Sequence, residues 1–182
     1  GAEILRLWVA MVDYREEIRL SREILARVVE VYRKLRNTLR YLVANLYDFD
    51  PTVDAVRRED MEEVDRFMMA RYSELATRVV RSYAEYDWST IFQAINTFAT
   101  VDLSAFYADV SKDRLYTFAA RSRERRSAQT AMHVIADGLT RMVAPILAFT
   151  ADEVWKHLPG TRDASVHLAV FPAQAELDAW AD

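Results

Sequence analysis

Apolar positions recur at steps of three and four along most of this chain, in long blocks. The clearest block is Leu25, Val28, Tyr32, Leu35, Leu39, Leu42 and Leu46. Such steps keep side chains on one face of an α-helix, so the pattern predicts a long helix over residues 21–47. Ser21 is placed to cap it, and Glu23 lies in the first turn, where the helix dipole favours an acid. Asp48, Asp50 and Pro51 stop it, and a polar loop follows to about Glu59. A second block, Val64, Met68, Tyr72, Leu75, Val79 and Tyr83, predicts a helix opened by an Asp60–Glu63 capping box. A third block, Phe92, Ile95, Ala99, Leu103, Phe106 and Val110, follows a break at 86–89, with Asp87 or Ser89 as its cap. The chain leaves that helix at 112–116 and loops to about Arg121. A fourth helix spans 122–143 through Ala128, Met132, Ile135, Leu139 and Met142, and Pro145 ends it.

Shorter elements flank these four. Ile4, Leu5, Trp8 and Met11 share a face of a short helix over 1–12, and residues 13–20 connect it to the first long one. Thr150 and Glu153 form a second capping box, before a short helix holding Val154, Trp155 and Leu158 that Pro159 and Gly160 close. Residues 165–171 alternate weakly, which predicts a short strand, and 173–182 begin a further helix. The expected fold is all-α: an antiparallel bundle of four long helices, with a short N-terminal helix and a small C-terminal helix-plus-strand extension. Residues 1–20 form the entry, 21–158 the bundle and 159–182 the extension. The abrupt helical opening and the interrupted last helix read as the edges of a piece of a longer protein.

Composition supports helices. The 182 residues contain 52% apolar residues but only three glycines and four prolines, few for a fold with many turns. There is no cysteine, hence no disulfide and no cysteine zinc site. His133, His157 and His167 are too scattered for a metal site on one helix. No apolar run spans a membrane and no signal peptide opens the chain, so a cytoplasmic setting is expected. Each apolar seam has a partner within the bundle, so a monomer is expected.

Charge changes the picture when read locally. The net charge is −4, but residues 27–40 carry five basic side chains against Glu30, and residues 112–126 carry six against Asp113 and Glu124. Residues 48–65 carry eight acids and two bases. Arg33, Arg36, Asn37 and Arg40 form a stripe beside the first seam, at helical spacing. Arginine grips phosphate in a bidentate manner and asparagine can read a base edge. The competing reading is a solvated face with ion pairs inside the bundle. The second cluster is Lys112, Arg114 and Tyr116, with Arg121, Arg123, Arg125 and Arg126 at the next helix start. Cations there oppose the helix dipole, so either an anionic partner or distant carboxylates must offset them. Tyr86, Trp88 and Tyr116, at helix ends, are candidates for stacking on unpaired bases. Trp8, Phe67, Phe92, Phe106 and Trp155 fit the core. Glu62, Glu63 and Asp65 read as helix-start acids exposed to solvent. No phosphate loop, zinc-protease motif, nucleophile elbow or calcium loop occurs.

Several blocks resemble one family. Residues 3–10 with Asp13 and Tyr14 are similar to the segment just after the catalytic core of isoleucyl-tRNA synthetases, which are class I aminoacyl-tRNA synthetases. Residues 32–46 (YRKLRNTLRYLVANL), followed by DFDP at 48–51, resemble that family's long helix. So do FYADVSKDRLYT at 106–117, RRSAQTA at 125–131 and APILAFTADEVW at 144–155. Valyl and leucyl enzymes share parts of this pattern, but Arg36-Asn37-Thr38 together with KDRLY at 112–116 favours isoleucyl. The resemblance implies the anticodon-binding helical domain of an enzyme that joins isoleucine to tRNA(Ile) using ATP and magnesium. The catalytic HIGH and KMSKS signatures are absent, so this piece alone is expected to be inactive and to hold no cofactor. The implied partners are tRNA(Ile) and the catalytic domain of the same chain. Some members add a C-terminal cysteine zinc module, which this chain lacks. The implied tRNA contacts are Arg33, Arg36, Asn37 and Arg40 on the anticodon side, Lys112, Arg114, Arg125 and Arg126 as backbone anchors, and Tyr116 as a stacking aromatic.

Overall fold

A computed structural model describes residues 1–13, Arg15, Glu17 and residues 19–181. The entry connection and the final residue therefore lie partly outside the described residues. The fold is all-helical. Its α-helices are α1 (Ala2–Met11), α2 (Arg22–Ala44), α3 (Glu63–Ala84), α4 (Trp88–Thr97), α5 (Ala108–Tyr116), α6 (Arg123–Val143), α7 (Ala148–Trp155) and α8 (Gln174–Asp178). A π-helical segment, Phe98–Tyr107, joins α4 to α5.

Helix α2 follows its seam. Val28, Leu35, Leu39, Leu42 and Leu46 are buried, while Leu25 and Tyr32 are half-buried at the margin. The Ser21 hydroxyl caps it, accepting from the Ile24 N–H at 3.2 Å. Asp87 caps α4 in the same way through the Thr90 N–H, and Ser122 caps α6 through Arg125 N–H. The two capping boxes do not form. Helix α3 starts after Glu62 without a side-chain cap, and Asp60 pairs instead with Arg57 at 2.6 Å. Helix α7 starts two residues before Thr150, whose hydroxyl bonds Tyr32 at 2.9 Å and Glu3 at 2.6 Å. Glu3, from α1, also accepts the Phe149 and Thr150 N–H groups, so a distant carboxylate caps α7.

The expected strand is absent. Residues 165–171 contain a 3₁₀ turn at Val166–Leu168, and no strand occurs among the described residues. Ser165 caps that turn and bonds Asp152, so its polar atoms need no sheet partner. The third long helix is also not a single α-helix. A π turn takes one residue more than an α turn, and the buried seam slips accordingly. It runs Phe92, Ile95, Ala99, Leu103, Tyr107, Ser111 and Leu115. Phe106 and Val110, one position earlier, turn outward, and Phe106 meets exposed Phe67 edge-on at 6.1 Å. Helix α5 then continues through Tyr116, where the sequence reading has the chain leaving its helix.

Helix α6 lies at the centre, packed on α2, α3, α5 and α7. Residues 125–132 are all buried, so its polar members lie inside the protein. Gly138 allows α3 to approach closely: a Cβ there would lie 1.7 Å from the Tyr72 hydroxyl. One core runs from Leu7 in α1 to Leu177 in α8.

Candidate nucleic-acid interface

The seam of α2 faces inward, so its opposite edge faces solvent. Arg33, Arg36, Asn37 and Arg40 are all exposed there, with Arg27 and Lys34 beside them. Arg33 pairs with Glu30 at 2.6 Å, and Arg36 lies 3.5 Å from Glu153. Pairs this exposed contribute about 0–1 kcal/mol, so a phosphate can displace either acid at small cost. Arg40 makes no ion pair among the described residues.

The stripe forms a ridge between two grooves. On one side a cleft of about 470 Å³ separates α2 from α7, with Arg36 and Arg40 at its edge and Tyr47, Glu153 and His157 along it. On the other side a groove of about 460 Å³ lies between α2 and the π segment, lined by Lys34, Asn37 and Tyr41. Thr38, also in that groove, bonds the Ser104 hydroxyl at 3.0 Å. Tyr116 is 65% exposed. Burial, then the neighbouring Tyr116 hydroxyl, pushes the Tyr41 phenol up to about 12. Tyr47 is 82% exposed just past the end of α2. Tyr86 is exposed in a left-handed turn (φ 58°), whereas Trp88 packs edge-on against Tyr83 at 5.5 Å.

The second basic cluster has a different fate. Arg125 donates to both Asp48 oxygens at 2.6 and 3.0 Å and to the Leu115 and Ala120 carbonyls. Arg126 donates to the Asp48 carbonyl and to Gln129, and sits 3.3 Å from Asp54. Arg114 clamps Asp65 through both terminal nitrogens at 2.7 and 2.9 Å. Asp65 is fully buried and also accepts from Tyr107 and Ser127. The helix-start acid read as solvated is thus an internal hub. Burial raises Asp48, but hydrogen bonds from Arg125 and Gln129 outweigh it and hold the carboxyl below its ordinary value. The Asp48 hydrogen bond correspondingly raises Arg125. Burial, then Asp65, pushes the Tyr107 phenol well up.

Distant carboxylates therefore offset the cations at the start of α6. The sequence reading offers Arg114, Arg125 and Arg126 as anchors for an RNA backbone. The structure pairs these three with Asp65, Asp48 and Asp54, because guanidinium groups largely withdrawn from water need a counter-charge. Lys112 stays exposed, 2.7 Å from Asp109. Exposed Arg123 reaches Glu62 at 3.2 Å.

Tyr47, Glu153 and His157 line the cleft, yet the sequence points to none of them as an RNA contact: Glu153 reads as a capping-box acid and His157 as an isolated histidine. Only the packing of α7 on α2 brings 153 and 157 beside 36 and 40. Tyr47 carries one faint signal, an aromatic directly before the acid-and-proline stop.

An exposed arginine edge flanked by grooves and aromatics suits a folded RNA. Residues 65–181 match the family described as the anticodon-binding domain of tRNA ligase. The chain belongs to that family. The anticodon-binding domain is similar to the isoleucine–tRNA ligase of Syntrophotalea carbinolica, 51% identical over 94% of this chain and 18% of that protein. It is 54% identical to that of Symbiobacterium thermophilum over 87% of this chain and 17% of the relative. Against that of Geobacillus kaustophilus it is 48% identical over 98% of this chain and 20% of the relative. The chain thus spans about a fifth of the length of the curated relatives it matches. Among the described residues of the domain, no helix is long and apolar enough to cross a membrane.

Proposed function

We propose that this domain grips the anticodon stem and loop of tRNA(Ile) as part of an isoleucine–tRNA ligase, and that the exposed edge of α2 is the contacting surface. The observation that carries the proposal is the sorting of arginines. Arg114, Arg125 and Arg126 are spent inside, while Arg33, Arg36 and Arg40 remain at the surface beside Asn37. On this reading Arg33, Arg36, Arg40 and Lys112 meet phosphates, Asn37 offers an amide to a base edge, and Tyr116 offers an aromatic face. Arg114, Arg125 and Arg126 hold the frame that presents them.

The names of the relatives favour isoleucine over valine or leucine as the amino acid of the parent enzyme. That parent would use ATP with magnesium, in the cytoplasm, and as a monomer. This domain would bind RNA without a cofactor and without activity of its own.

The test is titration of tRNA(Ile) with the domain across salt concentrations. Affinity is expected to fall steeply as salt rises, because phosphate contacts release counterions. In a full-length ligase carrying this domain, Arg36→Ala with Arg40→Ala should raise KM for tRNA and leave isoleucine-dependent pyrophosphate exchange unchanged. If charging at limiting tRNA is unaltered, the surface assignment is wrong.

A further inference from the structure

We infer that the cleft between α2 and α7 seats one unpaired base of the bound RNA, stacked on Tyr47 and read at its edge by Glu153 and His157. This rests on the tRNA-binding reading and names a subsite within it. The cleft volume, about 470 Å³, lies within the range of roughly 300–1,000 Å³ usual for small-molecule sites. Val43, Ala44 and Val154 supply apolar lining. Tyr47 stands 82% exposed beside them, a position that gains nothing from the core. Its ring lies 6.0 Å from the Arg125 guanidinium, itself locked onto Asp48, so a fixed cation borders the ring.

The distribution of charge says which part of a nucleotide enters. Arg36 and Arg40 line the side of the cleft that continues the exposed ridge, where a phosphate of the bound strand would lie. Glu153 lines the opposite, α7 side and would repel a phosphate there. A carboxylate instead accepts from the exocyclic amino group of a base. Its 3.5 Å contact with Arg36 is loose and the side chain remains 60% exposed, so a phosphate at Arg36 releases Glu153 to a base. His157 follows in the turn just past α7 and is exposed, offering a ring donor or acceptor to the same cleft. Thr150 also lines the cleft, but Tyr32 and Glu3 engage its hydroxyl. Phosphate at the arginines, ring on Tyr47 and amino group at Glu153 form one consistent pose. A base carrying an exocyclic amino group is therefore preferred over uracil.

The experiment uses this chain and an RNA hairpin with the anticodon stem-loop sequence, carrying 2-aminopurine at each unpaired position in turn. One position should change fluorescence on binding, and Tyr47→Ala should abolish that change. Tyr47→Ala should also weaken binding about ten-fold, while Tyr47→Phe retains most of the affinity. The salt dependence should stay the same in both variants, since neither removes a phosphate-binding group. Glu153→Gln should reduce the preference for an amino-bearing base at that position. If the hairpin binds but no position responds, or the response survives Tyr47→Ala, the cleft does not seat a base and the tRNA-binding reading stands. If the wild-type chain fails to bind the hairpin at any salt concentration, both readings fall.

Discussion

Arginines of one sequence type divide into two populations here. Arg125 is 4% exposed and chelates Asp48, whereas Arg36 on the ridge of α2 keeps a loose contact to an exposed acid. Local sequence does not distinguish them, since both lie in basic runs on amphipathic helices. What differs is the helix. Residues 22–44 have one buried face, so their charges reach water on the other. From Arg125 to Met132 every position of α6 is buried, so each charge there needs a carboxylate brought from afar. The acids of residues 48–65 supply those carboxylates. A basic cluster opposite an acidic segment therefore indicates a scaffold, and a basic stripe opposite an apolar seam indicates a surface.

The largest expected effect comes from breaking the scaffold. Asp65→Ala would leave half-buried Arg114 without its carboxylate, and buried Tyr107 and Ser127 without that acceptor, and is expected to destabilise the fold by about 3–5 kcal/mol, measured as a fall in the urea midpoint. Asp48→Asn should cost less, about 1–3 kcal/mol, because Gln129 and the backbone carbonyls still serve the arginines. This second loss should depend on pH. The Asp48 carboxyl is lowered from 3.8 in the fold, so its contribution is complete above about pH 3.8 and disappears as pH falls through the lowered value. Stability curves of the native chain and Asp48→Asn should converge in that acid range.

On the ridge the order of effects reverses. Arg36→Ala with Arg40→Ala should change stability by no more than about 0.5 kcal/mol. It should flatten the slope of log K against log salt by about one for each phosphate the variant no longer binds, read by RNA titration. The smallest effect is expected for Glu30→Gln, which frees Arg33, removes no phosphate-binding group and should shift stability by less than about 0.5 kcal/mol. A ridge variant that unfolds the protein, or a scaffold variant that flattens the salt slope while still folded, would dissolve the distinction between the two populations.

Much of the helical content was legible in the apolar periodicity, and so were the caps at Ser21 and Asp87, because a cap is a local bond spanning three residues; Ser122, read as the first residue of its helix, caps it instead. The capping boxes at Asp60 and Thr150 misled because other partners claimed those side chains: Arg57 for one, Glu3 and Tyr32 for the other. The outward turn of Phe106 was not legible either. Its spacing fits an α-helix, and only the π segment, with Thr38 of α2 bonded to Ser104, moves Tyr107 into the core instead.

Periodicity along the chain dictates that it is helical, which face of α2 is buried, and that the opposite edge carries Arg33, Arg36, Asn37 and Arg40. These are properties of one helix taken alone, so the order of residues suffices for them. Which arginines are free is settled only by folding, because it depends on carboxylates tens of residues away. Folding likewise places Tyr47, Glu153 and His157 in one cleft with Arg36 and Arg40. Residues from two helices become one site only when the packing of α7 on α2 sets the distance between them.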